Sequence, residues 1–202
     1  MMTETHLGRL LPACLHQAIS DVMPNRLEYY EEWLSPDGLR DGTIGLAPVT
    51  AVLGFLRTEG ELYHAVVSRA GTLAADWTLA GAPSLGRRVG GVLPLAFRAY
   101  YGLRMVRRIT SDVFSRTVAS TRLRRGRATV RFTGSAFCST RGPQIRPLCD
   151  FYASLAVETL RHFQVATTAQ IESCRAVGGG DVCVVTLTLG SAARLTEPAK
   201  AA

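Results

Sequence analysis

Apolar residues recur at helical spacing through the first half of the chain and alternate with polar ones through much of the second. Within Leu7–Glu32, Leu11, Cys14, Leu15, Ala18, Ile19 and Val22 fall on one face and predict a helix. Ser35–Gly42, "SPDGLRDG", has the composition of a turn. "LAPVTAVLGFLRTEG" predicts a short apolar helix closed by Gly60, and "ELYHAVVSRAGTLAADWTLAG" a further helix broken near Gly71. Leu93–Thr110, "LPLAFRAYYGLRMVRRIT", is apolar on one side and basic on the other. The period then changes. Thr117–Cys138 alternates β-branched residues around "RRGR", which predicts two strands and a tight turn. A loop at Thr140–Pro147 leads into a helix over Leu148–Gln164, with Asp150 near its start. Its expected buried stripe is Leu148, Phe151 or Tyr152, Leu155, Thr159 and Phe163. Two strands around a glycine run close the pattern. The fold class predicted is α+β: an N-terminal helical layer packed on an antiparallel sheet, with a C-terminal strand-helix-β-hairpin block.

A chain of 202 residues suits one domain with an extension. The division expected is an N-terminal helical extension at 1–45, a domain at 46–190 and a flexible tail at 191–202. With 47% hydrophobic and 19% charged residues, the composition is that of an ordinary globular protein. No apolar run is long enough to span a membrane, and the N-terminus lacks the pattern of a signal peptide. The expected location is therefore the cytoplasm, where thiols persist as thiols or as metal ligands. Five cysteines, an odd number, also cannot all pair as disulfides.

Charge changes the picture in one region. The net charge is +7, yet Arg87 to Leu148 holds fourteen arginines and one acid, Asp112. Three partners suit such a run: nucleic acid, an anionic membrane surface met by the basic amphipathic stretch "RAYYGLRMVRR", or an anionic small ligand gripped by guanidinium groups. A solvated basic face is the plain alternative. No specific nucleic-acid-binding motif accompanies the arginines. Phe97, Tyr100 and Tyr101 beside Arg98 and Arg104 suit a flat, acidic, aromatic ligand such as a tetrapyrrole, although core packing would use the same aromatics.

The other chemistry lies in "QIESCRAVGGGDVCVVTLTL". With Gly178 and Gly179 as a two-residue turn, Cys174 pairs with Cys183 across the hairpin, and Glu172 shares their face. Cys149, before the preceding helix, is placed to reach the same side. Cys149, Glu172, Cys174 and Cys183 would complete a closed tetrahedral zinc site with a structural role. Cys138 is near enough to Cys149 in sequence to replace a ligand. Opposed core thiols without metal account for the same spacing. Cys14 is read as helix core.

The residues "FC…PLCDFYASLAVETL" followed by "IESCRAVGGGDVCVV" resemble the C-terminal part of the 4-vinyl reductase domain, over about Ala47 to Leu189. "RTEGELYHAVVSRAGTLAADW" is similar to that family's helix leading to an "AG…G" step. The resemblance implies a compact α+β ligand-binding module related in fold to Bet-type subunits of the TRAPP tethering particle, and more distantly to haem-NO-binding domains. It also implies roles in bacteriochlorophyll biosynthesis or aromatic sensing. In sensor members of the family a zinc is held by residues that correspond to Cys149, Glu172, Cys174 and Cys183. This chain departs from the pattern in having one residue, Ser173, between the glutamate and the next cysteine.

The sequence contains no Walker loop, HExxH or GxSxG pattern. His6, His16, His64 and His162 show no recognisable pairing with cysteine or carboxylate. The function expected is binding of a hydrophobic or anionic aromatic small molecule between the helical layer and the sheet, as a carrier or pathway accessory. A TRAPP-like interaction module forming a homodimer is the main alternative, and a vinyl reductase the second.

Overall fold

Proline, glycine and apolar periodicity set where each element begins and ends. A computed structural model describes residues 7–81, 93–124, 126–140, 142–178 and 180–190. Its helices are α1 (Leu10–Val22), α2 (Leu27–Glu31), α3 (Pro36–Asp41), α4 (Leu46–Thr58), α5 (Glu61–Ala80), α6 (Leu95–Val113) and α7 (Asp150–His162). Its strands are β1 (Val118–Arg124), β2 (Arg127–Thr133), β3 (Ala166–Ser173) and β4 (Val182–Gly190). The tail expected at 191–202 lies outside the described residues.

The strands form one antiparallel sheet in the order β1-β2-β4-β3. Its inner face presents Ala128, Val130, Phe132, Cys183, Val185 and Leu187, all buried. On the other face the same strands show Arg122, Arg131 and Thr188 to solvent, the alternation that a half-covered sheet requires. Helix α7 lies between the sheet and α5 and touches both. Phe151 and Tyr152 from its first turn stack on Phe137 and Phe132, with ring centroids 4.6 and 4.4 Å apart. Each aromatic pair of this kind adds about 0.5–1.5 kcal/mol beyond area burial. Helix α1 packs on α5, and its Leu11, Leu15 and Ile19 are fully buried in the same core as the sheet residues.

Four expectations about the elements change. Pro24 splits the long first helix, because the residue before it, Met23, leaves the helical region at φ −135°, ψ 55°. The turn-like Ser35–Gly42 is a short helix, α3. Ser35 Oγ accepts from Gly38 N–H at 3.2 Å, Pro36 opens the first turn and Gly42 closes it at φ 68°. Helix α5 runs unbroken through Gly71, whose role is close packing: a Cβ there would sit 2.3 Å from the Phe151 carbonyl oxygen on α7. The closing hairpin does not keep the register that paired Cys174 with Cys183. The β3–β4 ladder stops at Ser173↔Val184, and a 3₁₀ turn at Arg175–Val177 leads into Gly178 at φ 89°. Gly179 itself lies outside the described residues.

Candidate metal centre

Where β2, α7, β3 and β4 meet, Cys138, Cys149, Cys174 and Cys183 place their sulfurs within 4.8 Å of one another. Each arrives by a different local device. Cys138 follows β2 after Gly134, whose φ of 70° turns the chain tightly against Arg116. Cys149 is the residue immediately before α7, and its carbonyl accepts from Tyr152 and Ala153 N–H. Cys183 lies opposite Phe132 on the inner face of β4.

Cys174 depends on a register shift. Ile171 pairs with Val185, but Ser173 pairs with Val184, leaving Glu172 as an extra residue between them. The extra residue inverts the in-out alternation, so Cys174 turns inward and is buried. Glu172, expected on the same side, is exposed on the outer face beside Arg127, Thr168 and Thr186. The parity argument that joined Glu172 to Cys174 fails because it assumed an unbulged strand. Cys138 occupies the fourth position instead.

The sulfur separations are 3.0 Å for Cys149–Cys174, 3.3 Å for Cys138–Cys149, and 3.5 Å for Cys138–Cys174 and Cys138–Cys183. A disulfide would need about 2.05 Å, and all four cysteines are free. Four thiolates around one zinc at about 2.3 Å would lie roughly 3.8 Å apart, close to this cage. Leu148 N–H donates to Cys174 Sγ and Arg175 N–H to Cys183 Sγ, each at 3.4 Å. Such donors orient sulfur ligands and offset their charge. Behind them Tyr63 Oη donates to the Leu148 carbonyl at 3.3 Å, and Arg57 Nη2 to the Phe137 carbonyl at 2.9 Å.

The four thiols do not titrate alike. Hydrogen bonds from Cys138, Cys149 and Cys183, reinforced by Leu148 N–H, hold Cys174 far below the usual thiol range. Contacts with Cys138 and Cys149 also lower Cys183. Hydrogen bonds to its three neighbours and burial raise Cys149. Cys14 stands apart in α1, buried, its thiol raised by desolvation.

Carboxylate–histidine pairs escaped the sequence reading because their members are far apart in the chain. His16 meets Glu31 at 3.0 Å, His64 meets Asp150 at 2.9 Å and His162 meets Asp76 at 2.7 Å. Glu158 joins the last pair but is held bidentately by Arg161.

The expected ligand residues divide. Tyr100 and Arg104 line an open groove of about 700 Å³ between α6 and β1, together with Leu103, Arg107, Thr121 and Leu123. Phe97 and Tyr101 are exposed outside it, and Arg98 donates to the Gln164 carbonyl at 2.9 Å. Among the described residues, no helix is long and apolar enough to cross a membrane.

No family model and no curated protein matches this chain. Among solved structures it is similar to an H-NOX protein from S. oneidensis, crystallised in the Fe(II)NO ligation state. The TM-score is 0.56 at 12% identity, over 92% of this chain and 100% of that one. It also matches trafficking protein particle complex subunit 3 from Naegleria fowleri, covalently bound to palmitic acid. There the TM-score is 0.47 at 9% identity, over 71% and 93%. The first likeness shows a shared fold.

Proposed function

We propose that the chain is a small-molecule-binding domain of the 4-vinyl reductase type, whose sheet and α7 are clamped by a structural zinc on Cys138, Cys149, Cys174 and Cys183. One observation carries the metal: four buried sulfurs from four separate elements at close to the edge length of a zinc tetrathiolate. A closed set of four thiolates would leave no position for substrate. A single iron fits the same donors, and metal analysis separates the two. An iron macrocycle fits poorly. The four sulfurs converge on a space for one ion, with no room among them for a macrocycle. A reducing cytoplasm would keep the thiols available.

The ligand site in this reading is the α6–β1 groove, where Arg104 and Arg107 face the apolar side chains of Leu103 and Leu123. That lining suits an amphipathic anion, and a flat acidic aromatic such as a tetrapyrrole belongs to the class. An interaction or homodimer role draws on a different observation, the aromatic cluster in which Tyr29 and Phe55 are exposed around a half-buried Trp33.

Elemental analysis of protein purified without chelator tests the centre. One zinc per chain is expected, and Cys138→Ser should abolish it. A folded wild-type protein without metal overturns the proposal. Light scattering at rising concentration tests the dimer.

A further inference from the structure

The arginines of this chain fall into two groups. Arg26, Arg69, Arg146 and Arg161 are each paired with a carboxylate from Glu59, Asp21, Glu61 and Glu158 respectively. Those of α6, β1 and β2 are not. Among the described residues Arg104, Arg107, Arg122, Arg124, Arg127 and Arg131 make no ion pair, all are exposed, and Arg108 meets only Asp112, at 3.8 Å. Unpaired like charges held this close raise a positive potential that an anionic partner relieves.

Arg127 and Arg131 lie on the solvent face of the interior strand β2. Arg122 and Arg124 have a local explanation, since β1 is an edge strand and charge on an edge discourages pairing with another chain. The helix arginines do not. Helix α6 buries Ala99, Leu103, Val106, Ile109 and Val113 and turns the opposite stripe to solvent over about 28 Å. That stripe carries Phe97, Tyr100 and Tyr101, exposed to 57, 56 and 49%, then Arg104, Arg107 and Arg108. No acid stands on it before Asp112. Half-exposed aromatic rings next to guanidinium groups on one helix face match the headgroup layer of a bilayer, where rings sit at the interface and arginines grip phosphate.

We propose that the outer stripe of α6 docks the protein on an anionic lipid bilayer. Phe97, Tyr100 and Tyr101 enter the headgroup zone, and Arg104, Arg107 and Arg108 pair with lipid phosphates. Nucleic acid fits less well. A sheet that binds single strands stacks bases on aromatic side chains, and the open face here, with Arg122, Thr129, Arg131, Val184 and Thr186, has none. Tyr100, Arg104, Arg107 and Arg108 also line the groove, so Phe97 and Tyr101, which lie outside it, are the positions that separate docking from ligand binding.

Vesicle co-sedimentation of the full chain, as purified, tests this. The probes are vesicles of phosphatidylcholine alone and of phosphatidylcholine mixed with phosphatidylglycerol. Binding is expected only to the anionic vesicles and should fade with added salt. Replacing Arg104, Arg107 and Arg108 together by glutamate should lower the partition coefficient at least about a hundredfold, since each basic residue is worth about fivefold. Phe97→Ser with Tyr101→Ser should lower it about tenfold. Arg122→Glu with Arg124→Glu should leave it within about twofold, and unchanged melting curves would establish that the variants fold. Equal binding to neutral and anionic vesicles would overturn the proposal. So would displacement from anionic vesicles by inorganic phosphate beyond that caused by sodium chloride at the same ionic strength, or tighter binding to an oligonucleotide that the same three arginine substitutions abolish.

Discussion

One extra residue in β3 decides which side chains reach the thiol cluster. Without the bulge at Glu172, Glu172 and Cys174 would share the solvent face opposite Ile171; with it Glu172 stays outside and only Cys174 turns inward. Cys149→Ser should therefore remove the metal and destabilise the fold by more than about 3 kcal/mol, because ligand loss forfeits binding energy coupled to folding. Glu172→Gln should change neither metal content nor stability by more than about 0.5 kcal/mol, as for other exposed positions. Cys14→Ser should keep full metal content, which separates loss of a ligand from loss of a buried thiol. Elemental analysis alongside chemical denaturation reads all three. Cys174 and Cys183 were picked out through an assumed hairpin register, which the structure does not keep, and Cys149 through its place just before α7. The bulge was not legible, because a register shift depends on the partner strand. Cys138 showed only its nearness to Cys149, since the turn that aims it rests on Gly134 packing against Arg116.

At the scale of elements, the contact between α5 and α7 is closest at Gly71, where the two backbones nearly touch. Gly71→Leu should cost at least about 2–3 kcal/mol through overpacking, measured by urea denaturation. The glycine looked like a helix break because composition alone does not tell a kink from a close approach. Ser35–Gly42 misled in the opposite direction: its residues are those of a turn and equally those of a capped short helix. The same two long helices are joined by Asp76 and His162. Burial opposes ionisation of Asp76, but the hydrogen bond from His162 and the nearby positive charge of Arg161 outweigh it and lower its pKa. A carboxyl depressed on folding contributes stability that is present above its unfolded value, about 3.9, and is lost as pH falls through the folded value. Asp76→Asn should therefore weaken the fold at neutral pH and flatten its loss of stability below about pH 4. Thermal melts across that range measure it.

For the molecule as a whole, the cluster joins the ends of three strands to the start of the helix that packs both on the sheet and on α5. If the proposed zinc clamps that junction, chelation should lower the melting temperature by roughly 10 °C or more in a chain of this size. The helical layer and antiparallel sheet followed from two apolar periods and were legible throughout. The segregation of paired and unpaired arginines was not, because Asp21, Glu59 and Glu61 find their partners only in three dimensions. The central claim is that the metal sits among sulfurs alone. X-ray absorption at the zinc edge of the purified protein tests it most directly. The account predicts four sulfur scatterers at about 2.3 Å and no light atom in the first shell. Three sulfurs with one oxygen, the shell that Glu172 would give, or no zinc at all, would contradict it.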